Sequence, residues 1–177
     1  MLFRSFQHDT LTDSKQLTAR QREQIYAELT GSTAVVWAVG IIDVPVIDRD
    51  NILQATGQAM LAALTGLQPQ PDHILVDGRR VRTLPYPQTA IVGGDGKSFS
   101  IAAASVIAKV TRDRLMLDWH AQYPQYNFAK HKGYGTAEHL RALRQFGPSP
   151  IHRRSFAPVR HALELAPTEI EKSHREN

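Results

Sequence analysis

The sequence contains no cysteine, which excludes disulfide bonds and zinc sites built on thiolates. It contains no apolar run approaching the roughly 18 residues that a membrane-spanning helix requires. Its first residues also lack the apolar stretch of a secretory signal peptide. Together these absences predict a cytoplasmic protein that does not contact a membrane.

Several common catalytic signatures are also absent. The chain has no phosphate-binding Gly-x-x-x-x-Gly-Lys-Ser/Thr loop, no Gly-x-Gly-x-x-Gly turn and no Gly-x-Ser-x-Gly motif. Its histidines show no His-Glu-x-x-His spacing, which argues against a zinc enzyme. Any catalytic site must therefore be built from other groups.

The composition is that of a folded, mildly basic protein. With 177 residues, of which 42% are apolar, the chain is long enough to bury one core and form one domain. The formal net charge is +4 and the isoelectric point is about 9.6, which favours a polyanionic partner such as nucleic acid.

The hydrophobic pattern predicts helices interleaved with strands, and hence an α/β layer with a thin sheet. Thr18 and Gln21 form a capping box for the first helix, Asp48 caps the second, and Thr136 caps a late one. The first sixteen residues contain no recognisable strand. The predicted helices cover about 18–30, 48–65, 100–120, 137–146 and 159–165, and the predicted strands cover about 34–42, 73–78 and 90–93.

Acidic side chains follow two of the predicted strands. Asp77 ends one apolar strand, and Asp95 follows the next between Gly94 and Gly96. Each acid alone is more typical of a tight turn, and that interpretation stays open. As a pair at the same end of neighbouring strands, however, two carboxylates repel each other, and a divalent cation relieves this repulsion. The pair therefore indicates metal-assisted phosphodiester chemistry.

The predicted helix after Asp95 begins with small residues and continues with basic ones. The small side chains of Ala102–Ser105 allow close approach, either of a sheet in tight packing or of a substrate beside a metal. Lys109 and Arg112 are candidate phosphate contacts. Asp113 is more typical of an ion-pair partner for the neighbouring arginines than of a metal ligand.

Two later loops offer a candidate nucleic-acid contact. Tyr134 lies between Gly133 and Gly135, which predicts an exposed ring that can stack on a sugar or base and bind a 2′-hydroxyl. A simple turn explains these residues equally well. Lys132 in this loop and Arg153 in a later basic cluster are candidate phosphate contacts, with a solvated charged surface as the alternative.

Taken together, the sequence blocks resemble ribonuclease HII, the type 2 ribonuclease H of bacteria. They occur in the family's order across residues 11 to about 160, and the ordered set is far more specific than any single block. The resemblance implies a ribonuclease H-like fold, with a mixed sheet flanked by helices and further helices at the C-terminus. The main blocks are Thr12–Leu17, Asn51–Thr56, Leu75–Gly78, Gly94–Asp95, Ser100–Arg114, His131–Thr136 and His152–Val159.

The resemblance also implies an activity and a site. The family cleaves the RNA strand of RNA–DNA hybrids and cuts beside single ribonucleotides in DNA, using Mg²⁺ or Mn²⁺ held by four carboxylates. Asp77 and Asp95 match the third and fourth carboxylates. Tyr134 matches the tyrosine that senses the 2′-hydroxyl, and Lys15 matches a lysine near the substrate backbone. The expected partner is hybrid duplex or ribonucleotide-containing DNA, bound by a monomer.

The chain also departs from the family pattern at its start. The family opens with a strand bearing an Asp-Glu pair, a Gly-Arg-Gly loop and a second strand, none of which occurs in this sequence. The resemblance then implies an N-terminally truncated fold that lacks two of five strands and two of the four metal ligands. The expected organisation is an atypical segment over residues 1–11, a partial domain over 12–166 and a charged, disordered tail over 167–177.

Three hypotheses remain at this stage. The first is an endoribonuclease of this family that acts on RNA–DNA hybrids, and a start codon placed too far downstream would reconcile it with the second. The second is an inactive fragment of the family that at most binds hybrid duplex. The third is a duplex-binding module that uses no metal.

Overall fold

The computed structural model describes residues 2–3 and 16–164. The predictions made for Lys15, for most of segment 1–11 and for the tail 167–177 lie outside these residues. One compact unit is formed by the chain up to Ile42 together with Leu53–Arg112, and a second by Asp43–Ile52 together with the chain from Asp113 onward. The domain boundaries at residues 12 and 166 stay a prediction.

The first unit begins with a short strand and a capped helix. Strand β1 covers Leu2–Phe3 and helix α1 covers Ala19–Gly31. The Thr18 hydroxyl accepts the Gln21 N–H at 3.3 Å, and Gln21 Oε1 accepts the Thr18 N–H at 2.8 Å. The predicted capping box is confirmed. The prediction of no strand in the first sixteen residues is wrong, because β1 lies there.

Strand β2 is much shorter than the predicted strand over 34–42. It covers only Val35–Val36 and pairs antiparallel with β1. The chain that follows joins no ladder within the described residues, and it packs instead on helix α3, Ile52–Thr65. A Cβ atom at Gly40 would lie 1.9 Å from the Ala59 carbonyl oxygen, so the two backbones touch there. The β-branched composition correctly marked a packed segment but not a paired strand.

The predicted helix over 48–65 is two helices in the structure. Helix α2 covers Val44–Asp50, and α3 begins at Ile52. Between them Asn51 has a φ of 70°, in the left-handed region where a helix cannot continue. Pro45 lies in the first turn of α2, where its missing N–H costs nothing. Asp48 is therefore inside a helix, and its prediction as a helix cap is wrong.

Strands β3 and β4 form a parallel ladder in the first unit. Strand β3 covers Ile74–Asp77 and β4 covers Gln88–Ile91, and their last residues lie opposite each other. The prediction over 73–78 is confirmed, and that over 90–93 begins two residues too late. Within the described part of the chain, β4 is the sole partner of β3.

A single-turn 3₁₀ helix at Gly94–Gly96 leads from β4 into helix α4, Phe99–Gln122. This helix confirms the prediction over 100–120. It ends just before Pro124, which begins another 3₁₀ turn, since proline cannot supply the hydrogen bond that would extend a helix.

Three further helices belong to the second unit: α5 at Phe128–His131, α6 at Ala137–Phe146 and α7 at Ala157–Glu164. The Thr136 hydroxyl accepts the His139 N–H at 3.3 Å, which confirms the predicted cap of α6. Gly147, at a φ of 71°, ends that helix.

Each unit has its own apolar core. In the first unit, α1 packs on the start of α4 through a cluster that comprises Leu17, Ile25, Leu29, Val35, Ala103, Val106, Ile107 and Val110. In the second unit, the core comprises Tyr126, Phe128, Ala142, Leu143, Val159 and Ala162. The predicted class, a mixed α/β fold with a small sheet and C-terminal helices, is confirmed. No helix of the described residues is both long and apolar enough to cross a bilayer.

Replacing Leu29 by alanine should lower the free energy of unfolding by about 2–5 kcal/mol, because Leu29 is 0% exposed and its removal leaves a cavity. Denaturant unfolding followed by circular dichroism measures the change. Leu53→Ala is the matched control, since Leu53 is 77% exposed and its truncation should cost within about 0.5 kcal/mol. Equal losses in the two variants would contradict this description of the core.

Candidate metal site and nucleic-acid interface

The end of β3 is tied directly to the turn that follows β4. Asp77 Oδ1 accepts the backbone N–H of Gly94 at 2.7 Å, and the Gly78 N–H donates to the Ile91 carbonyl at 2.9 Å. A Cβ at Gly94 would lie 2.5 Å from Ile101 Cδ1 and 3.3 Å from Asp77 Oδ1, so only glycine fits without displacement. The parallel register therefore brings the β3 end and the Gly94 turn to one edge of the ladder.

Asp95 follows Gly94 in this turn and is half-buried. Its Oδ1 accepts the Gly96 N–H at 3.1 Å, and Gly93 precedes the turn with a φ of 65°. This local bond is the turn-forming role that the sequence left open as an alternative. The same turn nevertheless puts Asp95 next to the residue that contacts Asp77, so the two predicted acids belong to one edge.

The donor chemistry of this edge suits a hard divalent cation. Asp77 is exposed, and its Oδ2 accepts no hydrogen bond from the residues that the structure describes. Carboxylate oxygens are the ligands that Mg²⁺ and Mn²⁺ prefer, and such ions keep waters or take phosphate oxygens for the remaining positions. Across residues 2–3 and 16–164, no group of three or more acidic or histidine side chains could hold a metal. The two acids fit a cation only with further ligands from elsewhere.

The small residues of α4 divide between the two predicted roles. Ala102 and Ala103 are buried, at 2% and 0% exposed, which is the tight-packing role. Ala104 and Ser105 instead line a cavity of about 620 Å³ that also reaches Asp77. Its remaining walls are mostly apolar and include β3, α3 and the segment around Gly40.

Lys109 and Arg112 lie further along α4. Lys109 is half-buried and Arg112 is exposed. Arg112 is therefore the more accessible of the two, and both residues stay candidates for phosphate contacts.

In the second unit, Tyr134 is exposed as predicted, with 57% of its surface accessible. The unusual backbone lies just before it, at Lys132 and Gly133, whose φ angles are 51° and 77°. The Tyr134 N–H donates to the His131 carbonyl at 2.9 Å, and the Tyr134 carbonyl accepts the Thr136 N–H at 2.8 Å. The ring thus projects from a turn whose backbone is held on both sides.

The two basic residues predicted here have different surroundings. The Lys132 ammonium group donates to the Ala129 carbonyl, so part of its hydrogen-bonding capacity is used within its own segment. The Arg153 guanidinium lies 5.1 Å from the ring centre of Phe156, in a cation–π contact that orients it. Phe156 itself is exposed.

Asp48 holds the segment that follows Arg153. Its carboxylate accepts the Arg154 N–H at 2.8 Å, the Ser155 N–H at 3.0 Å and the Ser155 hydroxyl. Slight burial alone would raise the pKa of Asp48, but the hydrogen bonds from Ser155 and Arg154 and the charge of Arg153 outweigh it and lower the pKa. The prediction of Asp48 as a helix cap missed this contact, because the partners lie more than a hundred positions away in sequence.

Sequence analysis also missed a buried cluster of three histidines, His131, His139 and His152, which are 7%, 5% and 7% exposed. The rings of His131 and His139 stack with centres 4.5 Å apart, and His139 Nε2 lies 3.0 Å from His152 Nε2. The rings of Tyr126 and Phe128 pack against the cluster. The spacing of these histidines follows no zinc-binding motif, so it did not indicate that their three rings would meet.

Burial controls the protonation of this cluster. Desolvation lowers the pKa of His139, and it lowers the pKa of His152 to about 4, with a smaller contribution from the neighbouring His139. Both rings are therefore neutral at neutral pH, and each has one nitrogen that donates and one that accepts.

A solved structure shows the likeness of the fold, and the sequence identifies the family of this chain. The fold is similar to that of the crystal structure of the ribonuclease H2 from Pyrococcus horikoshii OT3, with a TM-score of 0.70 over 95% of this chain and 83% of that chain, at 24% sequence identity. At that identity the likeness shows the fold alone. A sequence model of the family described as Ribonuclease HII matches residues 3–159, and this chain belongs to that family.

Curated relatives agree with this assignment. The chain is 52% identical to a ribonuclease HII of Geobacillus kaustophilus (strain HTA426), over 88% of this chain and 59% of that protein. It is 50% identical to one of Anaeromyxobacter sp. (strain Fw109-5), over 97% of this chain and 54% of that protein. It is 53% identical to one of Xanthomonas campestris pv. campestris (strain B100), over 88% of this chain and 65% of that protein. The chain thus spans between 54% and 65% of the length of these relatives.

The buried neutral histidines should make stability depend on pH. Free histidine has a pKa of about 6.5, so the unfolded chain takes up protons below that pH while His152 stays neutral until about pH 4. The contribution of His152 to the free energy of unfolding is complete above about pH 6.5 and is lost as the pH falls toward 4. Denaturant unfolding at pH 7.5 and pH 5 measures the change. The free energy of unfolding should be clearly lower at pH 5 than at pH 7.5 in the wild type, and this difference should be smaller in His152→Gln.

The control for this comparison is His161→Gln, because His161 is exposed on α7. That variant should keep the pH dependence of the wild type. An unchanged dependence in His152→Gln would contradict the assignment of a neutral buried imidazole.

Proposed function

We propose that this chain carries the site of a metal-assisted endonuclease, which cleaves the RNA strand of RNA–DNA hybrids and cuts at single ribonucleotides in DNA. Membership of the ribonuclease HII family supports this hydrolase chemistry. We further propose that the chain acts in the cytoplasm as a monomer, which agrees with its lack of cysteine.

The observation that carries this proposal is the hydrogen bond between Gly94 and Asp77. At 2.7 Å it joins the carboxylate that ends β3 to the turn that bears Asp95. Two acids at one edge of a parallel ladder, next to a glycine-rich turn, form an oxygen-rich surface that suits a cation and a phosphate group.

Mg²⁺ or Mn²⁺ bound here would supply the Lewis acidity that activates a water and stabilises the leaving oxygen. In this proposal Asp77 provides a ligand oxygen through Oδ2, while its Oδ1 stays oriented by the Gly94 amide. Asp95 provides the second protein ligand. The remaining positions are left to water and substrate phosphate.

Other residues would bind and orient the nucleic acid. The exposed Tyr134 ring can stack on a sugar, and its hydroxyl can donate to or accept from a 2′-hydroxyl. Basic groups neutralise phosphates and give binding without base specificity. The proposed phosphate contacts are Lys15, Lys109, Arg112, Lys132 and Arg153.

A second candidate function is duplex binding without cleavage. It is favoured by one specific observation, that no group of three or more possible ligands occurs in the described part of the chain. A cation held by two carboxylates is bound weakly, because most of its coordination shell remains water. The basic and aromatic groups would still bind a hybrid duplex.

The two functions can be separated with a duplex that contains one ribonucleotide. With Mg²⁺ or Mn²⁺, the purified 177-residue chain should nick this duplex weakly, and Asp77→Asn should reduce the nicking to background. Gel analysis of end-labelled duplex measures nicking, and fluorescence anisotropy measures binding. Asp72→Asn is the matched control, since it makes the same change at an exposed site before the start of β3.

Nicking that survives Asp77→Asn would contradict the metal site proposed here. Duplex binding with no nicking, unaffected by Asp77→Asn, would favour the second function. Loss of both nicking and binding in the wild type would contradict both candidates.

Replacing Tyr134 by phenylalanine should weaken discrimination between ribonucleotide-containing and all-DNA duplexes. A hydroxyl hydrogen bond contributes about 0.5–1.5 kcal/mol, so the ratio of the two dissociation constants should fall about 2- to 12-fold. Anisotropy titrations with both duplexes measure it. Tyr86→Phe is the control, because it removes a hydroxyl that bonds to Gln70 Oε1. An unchanged ratio in Tyr134→Phe would rule out the proposed contact.

A further inference from the structure

A continuous chain of hydrogen bonds runs through the buried histidines of the second unit. The Ser149 N–H donates to His152 Nδ1 at 3.0 Å, and the Ser149 hydroxyl lies 2.7 Å from the same nitrogen. His152 Nε2 lies 3.0 Å from His139 Nε2. His139 Nδ1 lies 3.0 Å from the Tyr134 carbonyl oxygen. This series of hydrogen bonds thus begins at the backbone of one loop, at Ser149, and ends at the backbone of another, at Tyr134.

The chemistry of the two ends fixes the direction of every bond. A backbone N–H only donates, so His152 Nδ1 must be bare and its proton must be on Nε2. That Nε2–H donates to His139 Nε2, which is therefore also bare. The proton of His139 is then on Nδ1, where it donates to the Tyr134 carbonyl, a group that only accepts.

This arrangement tolerates only one protonation state. A proton added to His139 Nε2 would put two N–H groups face to face at its 3.0 Å contact with His152, and a proton added to His152 Nδ1 would face the Ser149 N–H at 3.0 Å. The other titratable groups packed against the pair are His131, stacked on His139, and Tyr126, whose ring centre lies 4.8 Å from that of His152. Neither supplies a negative charge that would stabilise a proton on the pair at neutral pH.

This series of hydrogen bonds joins the two segments that, in the proposed function, contact the substrate. At one end is the turn that presents Tyr134. At the other is the segment that leads through His152 to Arg153, whose next residues are fixed by Asp48. His131 supports the same turn, with its Nδ1 accepting the Gly133 N–H at 3.2 Å.

We infer that the His139–His152 hydrogen bond is a positioning device that sets the Tyr134 turn relative to the Arg153 segment, so that ring and guanidinium meet one substrate together. The inference rests on the proposed function for its purpose but not for its geometry. A side chain displaced by about 1 Å can lose most of its effect on a substrate, so a rigid link between two contact loops favours selective binding.

The geometry can be tested without any nucleic acid. Nitrogen-15 NMR distinguishes protonated from bare ring nitrogens of neutral histidine. At pH 7 we expect His139 to be protonated on Nδ1 and His152 on Nε2. The opposite tautomer of either ring, or a doubly protonated ring, would overturn the inference.

The coupling between the loops can be tested with His152→Asn. The asparagine oxygen can replace Nδ1 as acceptor for Ser149, but the side chain is too short to reach His139. The amide resonances of Tyr134 should then shift, although within residues 2–3 and 16–164 the hydrogen bonds of His152 itself go only to Ser149 and His139. Unchanged Tyr134 resonances in the folded variant would overturn the inference.

The consequence for binding can be tested with two substitutions of His139. The amide of asparagine can replace Nδ1 and keep the bond to Tyr134, while that of glutamine can replace Nε2 and keep the bond to His152. Each variant should lower discrimination for the ribonucleotide-containing duplex about 2- to 12-fold, because each breaks one link. His161→Gln, on an exposed site of α7, should leave the discrimination unchanged.

A double variant separates positioning from general destabilisation. If His139 acts through Tyr134, then His139→Gln should have no further effect on discrimination in a Tyr134→Phe background. Additive losses would overturn the inference. Absence of duplex binding in the wild type would instead contradict the proposed function, while the NMR results would still decide the geometry.

Discussion

The hydrogen bond from the Gly94 amide to the Asp77 carboxylate is the constraint on which the candidate metal site depends. It joins the last residue of β3 to the turn after β4, so the register of one ladder decides where both acids lie. It also orients one oxygen of Asp77 and leaves the other available. Glycine at position 94 leaves room for this close approach, because a Cβ there would lie 2.5 Å from Ile101 Cδ1 and 3.3 Å from Asp77 Oδ1. A short parallel ladder is thus enough to define the edge at which chemistry is proposed.

Features that depend on adjacent residues could be predicted from the sequence. The capping box at Thr18 and the cap at Thr136 each span only four residues, and both are present. Strand β3 and helix α4 have unambiguous apolar patterns, and both lie close to their predicted ranges. The exposure of Tyr134 followed from the glycines beside it.

Features that depend on distant residues could not be predicted. Whether the apolar run after Ala34 forms a long strand depends on a partner strand, and in the structure its backbone packs on α3 instead. The true role of Asp48 depends on a loop far along the chain. The histidine cluster arises only when the turn before α6 meets the segment after it. These differences between the predicted and the observed structure arise from long-range packing, which local propensity does not encode.

Family membership and local geometry support different parts of the interpretation. The family model and the relatives show the family of this chain, which spans only part of the length of those relatives. The hydrogen bonds of the second unit belong to this chain itself. They show that its two loops are linked by an interior network of hydrogen bonds.

The contact made by Asp48 has a consequence for sequence variation. At position 154 its carboxylate binds the main-chain N–H of Arg154 and makes no use of the guanidinium. A contact with the main chain is indifferent to the identity of the side chain that the residue bears. Position 154 can therefore exchange its side chain, and with it some affinity for a polyanion, without loss of this bond, whereas position 155 also contributes its hydroxyl to the acid.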